Sequence, residues 1–171
     1  MPTALEIRAE ADVPRILTEQ LFGWFHDLWG LEADKTARAA WRVLVWDDDR
    51  LIGHVGLVDR VVTVDGEPVQ VGGVAGVYVA PAYRGRGLAR TALLQAQEFL
   101  RDETAAAFGL LICEPELVPF YAALGWSRTE SSMVFTAWDG ARITIGHQKM
   151  VLPLRGSDWP PGAVDLCGMS W

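Results

Sequence analysis

Val77-Tyr78-Val79-Ala80-Pro81-Ala82-Tyr83-Arg84-Gly85-Arg86-Gly87-Leu88-Ala89-Arg90 is the stretch that decides how this chain folds. Its first residues alternate as a strand does, and Pro81 turns the chain out of that strand. Two glycines and three arginines follow. Leu88, Ala92, Leu93, Ala96, Phe99 and Leu100 then recur at helical spacing, opposite Arg90, Glu98 and Arg101, which predicts a helix over 86–101. Such a strand–turn–helix unit makes an anion site. The first amides of a helix have no partner within it, and the helix dipole adds partial positive charge there. Gly85 and Gly87 carry no Cβ, so the backbone can approach phosphate oxygens closely. The expected ligand is a phosphate-bearing cofactor.

Upstream, Val69–Val79 reads as the strand that feeds this turn, with Pro68 at its start. Asp65-Gly66 marks a tight hairpin to Leu51–Val64. Arg42–Trp46 precedes it across the acidic turn Asp47-Asp48-Asp49-Arg50. Leu5–Ala9 reads as a further strand. Asp12-Val13-Pro14 predicts a helix start with Asp12 as cap, and Ile16, Leu17, Leu21, Phe25 and Leu28 carry that helix to Gly30. Residues 31–40 fit helix or loop equally. Downstream, Gly109–Cys113 is a short buried strand, and Leu117–Leu124 a two-turn helix closed by Gly125. Ser131–Trp138 and Ala141–Leu152 read as a final hairpin around Asp139-Gly140. Helices laid on a mostly antiparallel sheet define a mixed α/β (α+β) layer fold.

The chain has 171 residues, half of them hydrophobic and 22% charged, which excludes a disordered chain and suits one domain. Its longest nearly apolar run, Val71 to Ala82, is too short and glycine-rich to cross a bilayer. Met1 to Arg8 lacks the basic-then-apolar order of a signal peptide. Cys113 and Cys167 give neither a disulfide framework nor metal spacing, so a cytoplasmic protein without metal or membrane partner is expected. The net charge of −7 argues against nucleic acid and favours cationic ligands such as amines; it serves solubility equally well. Within that acidic chain Arg84, Arg86 and Arg90 form a local basic spot.

Residues 1–155 read as the main domain and 156–171 as a tail. From Ser157 to Trp171 the tail has no Lys or Arg, yet Trp159, Val164, Leu166, Met169 and Trp171 make it too apolar to stay solvated. It is expected to fold back. Two roles fit: a clasp over a sheet edge, or one wall of an acceptor pocket in which Asp165 and Trp171 bind a cationic, sugar-like amine.

Arg84-Gly85-Arg86-Gly87-Leu88-Ala89 resembles motif A, Gln/Arg-x-x-Gly-x-Gly/Ala, of the GCN5-related N-acetyltransferase (GNAT) superfamily. The resemblance extends over residues 5–152 and implies the GNAT fold, a mixed, mostly antiparallel seven-stranded sheet flanked by about four helices. It implies acetyl-CoA as acyl donor, its pyrophosphate on Arg84, Gly85, Arg86, Gly87, Leu88 and Ala89. The pantetheine arm would pair along Val77, Tyr78 and Val79, with an amide near Val79 facing the acetyl oxygen and bare backbone at Gly72, Gly73 and Gly76 close to the ligand. Pro119-Phe120-Tyr121-Ala122-Ala123-Leu124-Gly125-Trp126 resembles the family's Phe-Tyr-x-x-Leu-Gly-Phe segment and implies Tyr121 as general acid toward the CoA sulfur. Trp159-Pro160-Pro161-Gly162 and Asp165-Leu166-Cys167-Gly168, with Trp171, are similar to the tails of aminoglycoside 2′-N-acetyltransferases and nodulation N-acyltransferases. That likeness implies an amino-sugar or other amine acceptor.

Acetyl transfer requires a polarised thioester carbonyl, a neutral amine and a protonated leaving thiolate. A phenol, with a pKa of about 10, is well matched to the thiolate, whereas an alkylammonium of similar pKa needs a base. Many family members carry a glutamate on the fourth strand. Here that strand has Ala75 and Gly76, and no carboxylate after Glu67. Glu114, at the end of Gly109–Cys113, is the first candidate base; His54 is the alternative, and a water chain without a dedicated base also fits. His26 and His147 receive no role. The expected protein is an acetyl-CoA-dependent N-acetyltransferase (an acyltransferase) acting on a small cationic amine by direct attack in a ternary complex, with a homodimer left open. A protein or peptide N-acetyltransferase and a non-catalytic acyl-CoA sensor are the alternatives.

Overall fold

The structure, a computed structural model, describes residues 4–30 and 32–171. The first strand, β1 (Ala4–Ala9), leads through a 3-10 turn at Glu10–Asp12 into α1 (Arg15–Trp29). Then come β2 (Trp41–Asp47), β3 (Arg50–Val64), β4 (Glu67–Val79), α2 (Leu88–Glu103), β5 (Phe108–Cys113) and α3 (Val118–Ala122). The chain closes with β6 (Ser127–Arg128), β7 (Met133–Thr136), β8 (Arg142–Thr144), β9 (Gln148–Pro153) and β10 (Val164–Asp165). The main strand order is β6-β9-β5-β4-β3-β10-β7-β8, with β2 and then β1 continuing from the N-terminal half of β3.

The β3–β4 hairpin is the spine. At its tip Asp65 (φ 50°) and Gly66 (φ 85°) both adopt the left-handed region that such a tight turn demands. β4 passes to β5 through α2, the right-handed route for parallel neighbours, and the pair is registered Val71↔Phe108, Gly72↔Gly109 and Gly73↔Leu110. The apolar stripe of α2 is buried as its spacing requires: Ala92, Leu93, Ala96 and Leu100 pack with Val43, Val55, Leu57 and Val74. Each of the two leucines, fully buried, contributes about 2 kcal/mol of hydrophobic stabilisation. Gly72 makes the packing possible, because a Cβ there would stand 2.5 Å from Leu100 Cδ2.

β4 and β5 part company beyond Gly73. β4 stays on β3 to Val79↔Gly53, while β5 stays on β9 to Cys113↔Gln148. The sheet is therefore split down its middle. Opposite the split, β4 is bulged against β3: Gly76 and Val77 together face Val55, and Gly76 takes φ 55°. A bulge bends its strand and increases its twist, which helps β4 swing away from β5.

Several boundaries differ from those read in the sequence. α1 begins at Arg15 with Pro14 at the N-cap and no side-chain cap, because Asp12 is taken into the 3-10 turn. α2 begins at Leu88, since Gly87 is its cap at φ 75°. Prolines at 115 and 119 break the expected 117–124 helix into a 3-10 turn at Pro115–Leu117 and the single turn of α3, and Gly125 follows at φ 92°. Of residues 31–40, residue 31 lies outside the described residues, and the others form loop with one 3-10 turn at Ala33–Lys35. The expected final hairpin is divided. β8 pairs with β7, but the chain then breaks at Ile145-Gly146-His147, and β9 crosses to pair with β5. With β10 added from the tail, ten strands and three α-helices replace the expected seven and four among the described residues.

The tail is structural. β10 lies between β3 and β7, antiparallel to the first and parallel to the second. Arg60 Nη1 donates to the carbonyls of Met169 (2.7 Å) and Leu166 (3.3 Å), and the Ala37 amide donates to Ser170 O at 2.8 Å. Elsewhere Arg42 forks onto Glu10 at 2.5 and 3.0 Å, a largely buried ion pair tying β2 to the β1–α1 connection.

Candidate active site

The Arg84–Ala89 turn is held by its own residues. The Ala80 amide donates to Ile52 O, Tyr83 Oη donates to Asp47 Oδ2 at 2.9 Å, and Arg84 Nε folds back to Val79 O at 3.0 Å. Arg86 lies over the Tyr83 ring at 5.1 Å. Gly85 (φ 76°) and Gly87 (φ 75°) have open space where a Cβ would project, and no side chain caps the α2 N-terminus. A cavity of about 270 Å³ lies over the turn, lined by Val79, Gly85, Gly87, Ala89, Arg90 and Phe120. The first amides of α2 are left without a side-chain cap, and Arg84 is turned back onto Val79 O.

A second cavity, also about 270 Å³, fills the split between β4 and β5. Ala75, Gly76 and Val77 form one wall, Ile112 and Cys113 the other; Tyr121 reaches in from α3, and Phe25 and Trp29 come from α1. Adjacent residues of α3 divide the work: Phe120 lines the cavity over the turn and Tyr121 the one in the split. β4 runs from the inner cavity at Val77 to the outer one at Val79. Ala75–Val77, the bulged segment, therefore lines the inner cavity, while Val79 lines the outer one beside the glycine turn.

Tyr121 is 6% exposed, edge-on to Phe120 (5.1 Å) and Trp126 (6.3 Å). Burial, and secondarily the neighbouring Cys113, push its phenol well above the ordinary tyrosine range. It stays protonated throughout neutral pH, and the same burial makes it a weaker proton donor than the ordinary phenol expected from the sequence. Burial likewise raises the Cys113 thiol, which lies in the cavity wall as a small neutral group.

Glu114 stands at the end of β5 with Oε1 3.3 Å from His147 Nε2, and both side chains line the inner cavity with more than half their surface exposed. Sequence reasoning gave His147 no role. The signal was the β5–β9 register: Cys113↔Gln148, continued by one residue, brings Glu114 beside His147. Reading β9 as part of a hairpin with β7 hid that neighbour.

His54, the alternative base, is enclosed. It is 1% exposed between the rings of Trp24 and Phe25, each centred 6.0 Å away, and neither ring nitrogen has a hydrogen-bond partner. Burial, reinforced by Arg42, pushes its pKa down to about 3, so it is neutral at physiological pH and walled off from the cavity. The glycines of β4 are also reassigned. A Cβ on Gly73 would stand 2.4 Å from the Trp171 ring, and one on Gly76 2.4 Å from the Phe25 ring. They make room for this protein's own aromatic side chains. Trp171 thereby reaches the inner cavity, with Arg60 5.3 Å over its ring. Asp165 does not line it. Arg142 binds that carboxylate at 2.7 and 3.1 Å, and the Cys167 amide donates to it at 2.8 Å, so its pKa is lowered first by the Arg142 hydrogen bonds and then by the Cys167 amide. Among the described residues no cluster of three metal-ligating side chains occurs, and no helix is long and apolar enough to cross a membrane.

A split sheet with a phosphate-ready turn at one end of the cleft and a buried phenol at the other defines an acyl-transfer enzyme that uses an acyl-CoA. The chain belongs to the GNAT acetyltransferase family: the family model described as "Acetyltransferase (GNAT) domain" matches residues 20–129, from α1 through β6. It is accordingly an acyl-CoA-dependent N-acetyltransferase. Solved structures share the fold. The GNAT family N-acetyltransferase YhbS from Escherichia coli, in complex with CoA, is 22% identical with a TM-score of 0.61, covering 98% of this chain and 94% of that one. A GNAT family acetyltransferase from Brucella melitensis, in complex with acetyl-CoA, is 19% identical with a TM-score of 0.60, covering 94% of each chain. Escherichia coli ElaA is 12% identical with a TM-score of 0.65, covering 88% of this chain and 99% of its own.

Proposed function

We propose that this protein transfers the acetyl group of acetyl-CoA to a primary amine of a small cationic acceptor, by direct attack in a ternary complex. The observation that carries the reading is the pair of neighbouring cavities, lined by Val77 and Val79 of β4 and by Tyr121 and Phe120 of α3 respectively. The α2 N-terminus, with Gly85 and Gly87, fits the pyrophosphate, and the free edge of β4 along Val77, Tyr78 and Val79 fits an extended pantetheine arm. The residues present match the donor, and two structural neighbours were solved with CoA or acetyl-CoA.

Within this frame the bulged backbone at Ala75–Val77 orients the thioester carbonyl and stabilises charge on its oxygen. Glu114, with His147, takes one proton from the acceptor ammonium and so frees the lone pair that forms the bond to carbon; once that bond exists, the nitrogen loses its second proton to solvent. The carbon–sulfur bond breaks, and Tyr121 Oη gives its proton to the departing sulfur. The phenol is then reprotonated from solvent, a step its raised pKa favours. Asp165 and the tail enter the reading differently from one another: Trp171 lines the acceptor space, while Asp165 supports β10 through Arg142.

The test is acetyl-CoA-dependent thiol release against amines, aminoglycosides, amino acids and short peptides, with acetyl-CoA affinity measured by calorimetry alongside. Turnover on a small amine is expected. Tight acetyl-CoA binding with no turnover on any acceptor would instead favour the sensor role, and turnover on peptides alone would favour a peptide acetyltransferase.

A further inference from the structure

We infer that the acceptor is an aralkylamine, a primary amine with one positive charge on an aromatic body, seated among Phe25, Trp29 and Trp171 with its nitrogen at the Glu114–His147 pair. The inference rests on the acetyltransferase reading above and names the substrate class of that same cavity. Its basis is the inventory of the lining. Besides Tyr121, three aromatic rings meet there, Phe25 and Trp29 from α1 and Trp171 from the tail, and Val77, Ile112 and Leu117 add aliphatic surface. Phe25 and Trp29 already pack ring on ring at 5.0 Å, so α1 presents a preassembled aromatic wall. Trp29 is 46% exposed and Leu117 44% exposed, apolar surface that the described residues leave open.

Against all this apolar surface stands one carboxylate. Glu114 is the lone Asp or Glu among the described residues of the lining, and His147 is its partner. A polycation such as an aminoglycoside needs several acidic partners and many hydroxyl contacts. Asp165, the carboxylate expected from the tail, is held by Arg142 and does not line the cavity. The size agrees. At about 270 Å³ the cavity falls just below the ~300–1,000 Å³ typical of drug-sized ligands, and since it also takes the acetyl thioester, the room left suits a small amine. An ammonium entering past Trp29 is attracted by the ring face before it meets Glu114, and the aromatic body then stacks or packs edge-on. The proton released on reaction passes from the amine to the Glu114–His147 pair and on to solvent, at whose border both groups stand.

The experiment compares kcat/KM for phenethylamine and tryptamine with that for spermidine and kanamycin at saturating acetyl-CoA. The aralkylamines should be preferred about tenfold or more, the scale of one or two aromatic contacts. Trp29→Ala should raise KM for phenethylamine several-fold, leave acetyl-CoA affinity unchanged and narrow the preference; Trp29→Phe should largely restore it. Because Trp29 is half exposed, neither change threatens the fold. A preference for spermidine or kanamycin overturns the inference, as does a Trp29→Ala enzyme with its preference intact. Absence of aralkylamine turnover, with acetyl-CoA still bound, also overturns it. Failure to bind acetyl-CoA at all would instead strike the acetyltransferase reading beneath it.

Discussion

The two cavities have the same volume, about 270 Å³, and share strand β4, yet they are built in opposite ways. The outer one is made almost wholly from one continuous segment, Val79 to Arg90, with Phe120 closing it. It works through backbone amides and two left-handed glycines. The inner one is assembled from α1, β4, β5, α3, the break before β9 and the tail, and works through side chains. A donor whose phosphates and pantetheine are always the same can be held by backbone, which side-chain change alters little. An acceptor that sets specificity is held by side chains, each replaceable by itself. The difference separates what every acyl-CoA enzyme of this build shares from what is particular to this one.

The comparison can be broken at the outer cavity first. Gly87→Val places a β-branched side chain at φ 75°, costing about 1–2 kcal/mol of strain, and pushes a bulky group into the phosphate space. Acetyl-CoA affinity measured by calorimetry should fall about a hundredfold or more, with every acceptor affected alike. Retained affinity would remove the turn from the donor site.

At the inner cavity the effects should be selective. Glu114→Gln and His147→Gln should each lower kcat about a hundredfold with acetyl-CoA affinity unchanged, the lower end of the usual contribution of a proton acceptor. Steady-state kinetics at saturating donor decide this. If the double variant falls no further than either single one, the two act as a unit; unaltered turnover would leave deprotonation to water.

His54 sharpens the contrast between a histidine that works and one that is merely enclosed. Its folded pKa, about 3, lies below the ordinary value of 6.5, so the unfolded chain takes up the proton first. The stability this group contributes is complete above about pH 6.5 and is lost as pH falls toward 3, by up to a few kcal/mol. His54→Leu should flatten urea-derived stability across that window and leave turnover on small amines nearly unchanged, because it removes two unpartnered nitrogens from the core. A large loss of kcat would return His54 to the mechanism.

The smallest effect belongs to the tail's carboxylate. Asp165→Asn breaks a half-exposed ion pair and should cost at most about 1 kcal/mol of stability, with KM for any acceptor unmoved. A raised KM would bring Asp165 into the acceptor site.

The same contrast explains how far the sequence could be read. Strand, glycine turn and helix are local, so Val77 to Arg90 disclosed both its structure and its ligand chemistry. The Phe120-Tyr121 pair was legible for the same reason. The Glu114–His147 contact depends on β9 leaving its apparent hairpin partner for β5, a choice set by burial of Met150 and Leu152 in the main core and invisible to local periodicity. Trp171 and Phe25 reach the cavity only because Gly73 and Gly76 lack a Cβ, and from sequence those glycines read as space for the ligand itself. His54 looked reactive until its ring was seen to be enclosed.

The position of the acetyl-CoA sulfur in a crystal structure of the complex tests the central claim most directly. With its phosphates on the Gly85–Ala89 turn, the sulfur should lie in the split of the sheet, within about 3.5 Å of Tyr121 Oη. A sulfur outside the split, or facing a group other than Tyr121, would contradict the account.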